Sequence, residues 1–434
     1  MGTVLRAKLL SVTMTLLSIA IVTANFDAEA RHRGGWGGGG GSGGGGGSSS
    51  SWATLYGGAE SDYGKDVAID SSGNVFTAGM IMDSLGTGNQ GFLNGTLAKH
   101  DPSGNLVWLK QVGTGLETFS GVTTDTNGNV FAVGRTEGSV AGNNIGDMDI
   151  IVFMYDTNGN LLLSFQTGTA ARDRGVSIAV DSVGDIYICG DTTGNLGGQL
   201  SNPNGDAMLV KYNSAGQMLW AKQFGDTAGT GFDECTDVAV DANDDVYIAG
   251  DYSSFDYFVA KYDSLGNQYW YVESNTAISE TADSMAVDGN GNVFIGGKTG
   301  GLTDPDGVYA GWNDAYVIKF NGAGVQQWAR QLGTAYRDET HGVAADANGN
   351  VYITGLINLD TTSSPGNMFT AKYNSAGSRL YLKELSAGSD PVAARGIAVN
   401  AAGTDYYLVG ESYGNLGGQT NSGIFDVFVT RNRP

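Results

Sequence analysis

The chain has 434 residues, 41% of them hydrophobic, with 45 acidic against 23 basic side chains and a formal net charge of −22 at pH 7. A surface this acidic repels phosphate backbones and anionic membranes, which excludes nucleic acid as an expected partner and favours cations or basic surfaces. Gly 70 and Pro 6 exceed ordinary usage without reaching low complexity, and they sit mostly in turns.

In chain order, Arg6 and Lys8 precede an apolar run from Leu9 to Ala24, shorter than the ~20 residues a spanning helix needs. Ala28-Glu29-Ala30 offers a small-x-small cleavage site, with Val22-Thr23-Ala24 as a second. Residues 1–30 therefore read as a signal peptide, the alternative being an uncleaved anchor. No cysteine follows to carry a lipid, and no membrane-spanning segment is expected after signal removal. Residues 31–51 are nearly all Gly and Ser towards their end and read as a disordered linker. The expected location is secreted, periplasmic or cell surface.

From Trp52 onward a single pattern recurs. An inner run ends on Asp70, Asp125, Asp181, Asp241, Asp288, Asp346 and then Asn400, 47 to 60 residues apart. A tight turn follows, then a second run closing on Gly79, Gly134, Gly190, Gly250, Gly297, Gly355 and Gly410, each preceded at three residues by Phe76, Phe131, Tyr187, Tyr247, Phe294, Tyr352 or Tyr407. The third run opens on Asn94, Asp149, Asp206, Asp256, Asp314, Asn367 and Asp426, and the fourth carries Trp108, Leu163, Trp220, Trp270, Trp328 and Tyr381. Runs such as Ile186 to Cys189 are apolar on both faces, as strands covered on both sides must be. The seventh unit stops one strand short, while the chain starts with an orphan fourth strand at Trp52 to Gly57. Joining them leaves no open sheet edge. The expectation is an all-β fold over residues 52–434, a seven-bladed β-propeller of four-stranded blades closed by the N-terminal strand completing the last blade.

Units such as VAVDANDDVYIAG, DAMLVKYNSAGQMLW and VAADANGNVYITG resemble the SBBP-type propeller repeat of exported bacterial proteins. The resemblance covers residues 52–434 and implies the blade fold, but no single activity, because many functions sit on propellers. Unit seven departs furthest, with Asn400 for Asp and Val392 where the other units carry an acid.

Candidate chemistry is thin. Turns such as Asp125 to Asn129 place oxygens at alternate residues, yet lack the later glycine and distal Glu of a calcium loop, so their acids read as turn-closing hydrogen-bond acceptors. Eight residues before each inner-strand acid come Asp62, Glu117, Asp173, Asp233, Glu280 and Asp338, a ring that could grip a cation or a basic ligand, or bond the backbone at each blade crossing. His100 and His341 occupy unlike positions, which gives little support to a His metal site or a catalytic triad. The stretch Asp263 to Trp270 resembles the docking repeat of quinone-dependent propeller dehydrogenases, but no adjacent cysteine pair accompanies it. The Gly-Asn-Leu-Gly-Gly-Gln loops at 194–199 and 414–419 precede strands rather than a helix, which rules out a phosphate cradle.

The repeat breaks its symmetry at blade four, where a long crossing meets a short loop. Asp226, Asp233, Glu234, Asp237, Asp251 and Asp256 are expected to converge there as a ligand site without a neighbouring Lys or Arg in sequence, with Asp233, Glu234 and Asp237 the candidate Ca²⁺ ligands. The alternative is a solvated acidic loop. Cys189 and Cys235 are candidates for a disulfide, or else buried free thiols. The functional expectation is a binding module that meets a protein or carbohydrate at the cell exterior across its loop-bearing rim. A lyase or oxidoreductase at the channel mouth is the alternative, marked by a cluster of non-repeat His, Arg or Tyr, and none is evident in the sequence.

Overall fold

Twenty-eight strands form seven four-stranded antiparallel sheets in the computed structural model, which describes residues 51–434 except 83–91, 114, 197–203, 226–230, 254–255, 275, 277, 302–310, 361–363, 386–390 and 417. The proposed signal peptide and almost all of the linker lie outside the described residues. Blade 1 illustrates the order from channel to periphery: Asp62–Ile69, Val75–Ile81, Asn94–His100 and Leu106–Val112. The second and third strands of the blades are almost wholly buried because a neighbouring blade covers each face. Phe76, Phe131, Tyr187, Tyr247, Phe294 and Tyr352 fill these interfaces, each contributing about 1.5–3 kcal/mol by leaving water.

Three interactions built from repeat residues hold the ring, the first two within a blade and the third between blades. A third-strand lysine lies over the second-strand aromatic, as Lys211 Nζ does 4.8 Å from the Tyr187 ring centre and Lys372 Nζ 4.5 Å from that of Tyr352. The same ammonium group meets the turn acids, with Lys211 Nζ 2.9 Å from Asp185 and 3.3 Å from Asp181. The outer-strand tryptophan donates its indole N–H to a turn carbonyl of the next blade: Trp220 to Ser264 at 3.3 Å, Trp270 to Gly322 at 3.0 Å and Trp328 to Ser375 at 3.1 Å.

The last blade consists of Val392–Val399, Tyr406–Ser412, Asp426–Asn432 and, as its outer strand, Trp52–Tyr56. Trp52 faces Arg431 and Tyr56 faces Val427 in an antiparallel register. Trp52 also makes the inter-blade contact of its repeat position, donating to Pro102 O of blade 1 at 3.1 Å. The ring closes as the sequence leads one to expect.

His100 of blade 1 is packed against this closing strand, its ring centre 6.4 Å from that of Trp52 and 5.6 Å from that of Tyr56. It is fully buried and neither ring nitrogen has a hydrogen-bond partner. Burial pushes its pKa down to about 4, against a weak opposing pull from Asp101. A depressed histidine pKa means that the unfolded chain takes up the proton first, so stability is complete above about pH 6.5 and falls as the pH drops towards 4. We predict that His100→Leu removes an acid-side loss on the order of 3 kcal/mol. Unfolding of the parent and variant between pH 4 and 7 measures it, and parallel stability profiles would show that the imidazole plays no part.

Candidate functional site

Each inner strand runs from the loop-bearing rim into the channel, and near its start the register with the second strand skips one residue. The skipped residues are Lys65, Ser120, Val176, Thr236, Asp283, His341 and Arg395. Opposite each bulge stands the repeat glycine. A Cβ on Gly79, Gly134, Gly190, Gly250, Gly297, Gly355 or Gly410 would collide with the inner-strand carbonyl turned towards it. The glycine thus admits the bulge, and the bulge releases one side chain per blade from the ladder. All seven line the central channel, a cavity of about 350 Å³.

Below them, two carboxylates tie the inner strands together. Asp237 accepts from Ser177 Oγ at 2.7 Å, Ser284 Oγ at 3.2 Å and Met285 N at 2.8 Å, spanning blades 3, 4 and 5. Asp66 accepts from Val122 N of blade 2 at 2.8 Å. Burial pushes Asp66 up to about 7 and raises Asp237 as well.

Above them, the channel opens on the loop-bearing rim through a cavity of about 400 Å³ whose lining includes Lys65, Arg135, Arg174, Glu234, Asp283, His341 and Arg395. Arg174 pairs with Asp191 at 2.5 Å and with Glu234 at 3.0 Å, and Arg172 joins Asp191 at 3.0 Å. On the far side, Arg395 meets Glu411 at 2.6 Å, and His341 Nε2 lies 3.1 Å from Glu339. Burial alone would raise Glu339, but His341, Lys298 and Arg337 hold it near 2. A cluster of histidine and arginine therefore does stand at the mouth, contrary to the sequence reading. Its members are far apart in the chain, so no local motif announces them. The available signal was a fixed offset, three residues after each rim acid, at which the repeat fails to repeat.

The acidic notch expected at blade four does not assemble. Asp226 lies outside the described residues. Asp233 is buried at the blade crossing and accepts from Ser253 N at 2.6 Å, holding Ser253 at a φ of 53°. Asp338 does the same for Asn358, with 2.8 Å and a φ of 62°. Asp62 and Asp173 likewise accept from Gly58 N and Thr169 N, at 2.5 and 2.6 Å. Glu234 turns towards Arg174, Asp237 lies in the channel, Asp251 accepts from Ala282 N at 2.8 Å, and Asp256 accepts from Ser274 Oγ at 2.7 Å. Successive strand residues face opposite ways, so Asp233, Glu234 and Asp237 are dispersed rather than gathered. Among the described residues no group of three His, Cys, Asp or Glu is placed to hold a metal ion. The turn acids close their own turns: Asp125 accepts from Asn127 N at 2.9 Å and Asn129 N at 2.8 Å.

Cys189 and Cys235 are free thiols buried in one apolar cluster between blades 3 and 4, where burial raises both thiols. Alkylation of denatured, unreduced protein is expected to modify two cysteines, and a mass lacking both additions would reveal a bridge. Asp233→Ala is expected to cost about 1–3 kcal/mol by stranding the Ser253 amide, equally with and without calcium. A loss seen only in calcium would make Asp233 a metal ligand.

Seven four-stranded blades around a channel define a β-propeller repeat protein. More particularly, the chain carries SBBP beta-propeller repeats, matched at residues 51–81, 164–197 and 327–360. It is 26% identical over 205 residues to the regulatory protein FlaEY of Caulobacter vibrioides, covering 42% of this chain and 21% of that one. It is 23% identical over 260 residues to an uncharacterized WD repeat-containing protein, L264, of Acanthamoeba polyphaga mimivirus, covering 52% of this chain and 16% of the relative. The match thus spans about a fifth or less of either relative. Among solved structures, the WD40 repeats of RRP9 superpose with a TM-score of 0.55 at 11% identity, over 87% of this chain and 97% of that one. U3-55K gives 0.54 at 10%, over 88% and 98%. These likenesses concern the fold alone. Among the described residues no helix is long and apolar enough to cross a membrane.

Proposed function

We propose that this chain is an exported interaction module whose binding face is the loop-bearing rim, with the charged channel mouth at its centre. The contrast between the two rims carries the reading. Turn-rim acids are consumed in closing turns and pairing lysines, and the apolar side chains exposed at those turns are aliphatic, Val183, Leu265 and Val325, whereas the loop rim presents the aromatics Phe92, Trp312, Tyr336 and Tyr413 beside Leu116 and Ile145, Trp312 at 81% exposure. Exposed aromatics around a polar centre are the composition of a recognition surface. The Arg6 and Lys8 flank of the apolar N-terminal run supports export to the periplasm, medium or cell surface, where the partner is a protein or carbohydrate. Relatives named as regulatory and WD-repeat proteins fit an interaction role.

An enzyme acting at the mouth, a lyase or oxidoreductase, is the second reading, favoured by the His341–Glu339 pair beside Arg395. Capture of partners from the culture medium on the immobilised protein distinguishes them. Trp312→Ser with Tyr336→Ser is expected to weaken capture by about tenfold or more, while the turn-rim change Leu265→Ser leaves it intact. Equal loss from both rims would refute the assignment of the face.

A further inference from the structure

The bulge ring carries a dipole. Arg395 and Lys65 stand in adjacent blades 7 and 1, and Arg135 of blade 2 completes a basic pole at the mouth. In a sevenfold ring the position opposite blade 1 falls between blades 4 and 5, and there lie Glu234, Asp251 and Asp283. The sectors between the poles neutralise themselves, through Arg174 with Asp191 on one side and His341 with Glu339 on the other. The poles do not. Among the described residues the side chains of Lys65 and Arg135 make no ion pair or hydrogen bond, and burial together with neighbouring positive charges lowers both, against a weaker pull from Glu411 on Lys65 and from Asp191 and Glu137 on Arg135. Among the described residues Asp283 has no cation within ion-pair distance, although Lys298 and His341 attract its charge from further off, and its side chain accepts from Thr281 Oγ1 at 3.3 Å. Asp283 and Glu234 repel the charge on Asp251, whose pKa burial already pushes up to about 8.

Half-buried charges without partners cost free energy that a complementary ligand returns on binding. We propose that the mouth binds a small dipolar molecule, a free amino acid or short peptide. Its carboxylate is held by Lys65 and Arg135, its ammonium group by Asp283, and Met80 and Val176 line the apolar part of the cavity. A cavity of about 400 Å³ suits a ligand of that size. The net charge of the protein fits as well: −22 repels a simple anion at long range, and a ligand of zero net charge approaches without that penalty. This inference rests on the loop rim being the binding face, and it specifies what the centre of that face recognises.

The test is calorimetric titration of the full chain with glycine, dialanine and trialanine, beside N-acetylated and C-amidated forms of each. Saturable binding of at least one free form is expected, weakened about tenfold or more by either block. Lys65→Met with Arg135→Met should abolish discrimination against the amide, and Asp283→Asn should abolish discrimination against the acetylated form. Melting curves of the variants, run with and without ligand, verify folding, and removal of unpaired charges is expected to leave Tm unchanged or raised. No saturable binding by any free form, or equal binding of blocked and free forms, overturns the inference. Loss of macromolecular capture in the rim variants reports separately on the face itself, so either result can fail without the other.

Discussion

The contact between each inner-strand bulge and the glycine facing it governs the rest of this molecule. The carbonyls of Tyr63, Thr118, Arg174, Glu234, Thr281, Glu339 and Ala393 occupy the space a Cβ would need on the second strand. With glycine there, the inner strand can turn its backbone, gain one residue and present that residue to the channel. With any other residue the two strands would have to separate, and the rim acid at the start of the inner strand would lose its geometry. One backbone constraint repeated seven times therefore builds the blade, sets the channel wall and creates the positions at which the blades differ.

The rim acids belong to the same device. Asp233 and Asp338 each hold a left-handed, non-glycine residue at the outer part of the second strand, Ser253 just past its end and Asn358 within it. A buried carboxylate accepting backbone N–H groups satisfies donors that a crossing would otherwise strand. Their recurrence records a backbone requirement of the blade crossing, so of the two readings open in the sequence, a cation ring or backbone acceptors, the geometry favours the second. The crossing from the closing strand into blade 1 shows the device beside its neighbours: Asp62 accepts from Gly58 N, and Ser422 bonds Asp426 and Gly57 next to it.

The fold was legible in the sequence because it rests on local features that recur: the acid before each turn, the aromatic three residues before each glycine, the outer tryptophan. Trp52 could be assigned to a missing outer strand, and its bond to Pro102 follows from that register. The site was not legible, for the same reason. Lys65, Arg135, Asp283, His341 and Arg395 are single substitutions on a repeated frame, separated by whole blades, and only ring closure makes them neighbours. Clustering in sequence instead drew attention to Asp233, Glu234 and Asp237, which strand alternation and a bulge send in three directions.

Because the bulge residue stands outside the ladder, its identity bears little on whether a blade forms, so the seven positions can hold lysine, serine, valine, threonine, aspartate, histidine and arginine on one architecture. A charge placed there without a partner costs stability, and two of like sign in adjacent blades cost more. That expense is tolerable where repeated packing elsewhere is strong: seven fully or nearly fully buried second-strand aromatics, at about 1.5–3 kcal/mol each, outweigh the desolvation of a few half-buried charges. The repeated part of the sequence thereby supplies stability in excess of what the channel mouth consumes. The mouth is free to carry an arrangement of charge, basic at blades 7, 1 and 2 and acidic at blades 4 and 5, that packing alone would not select.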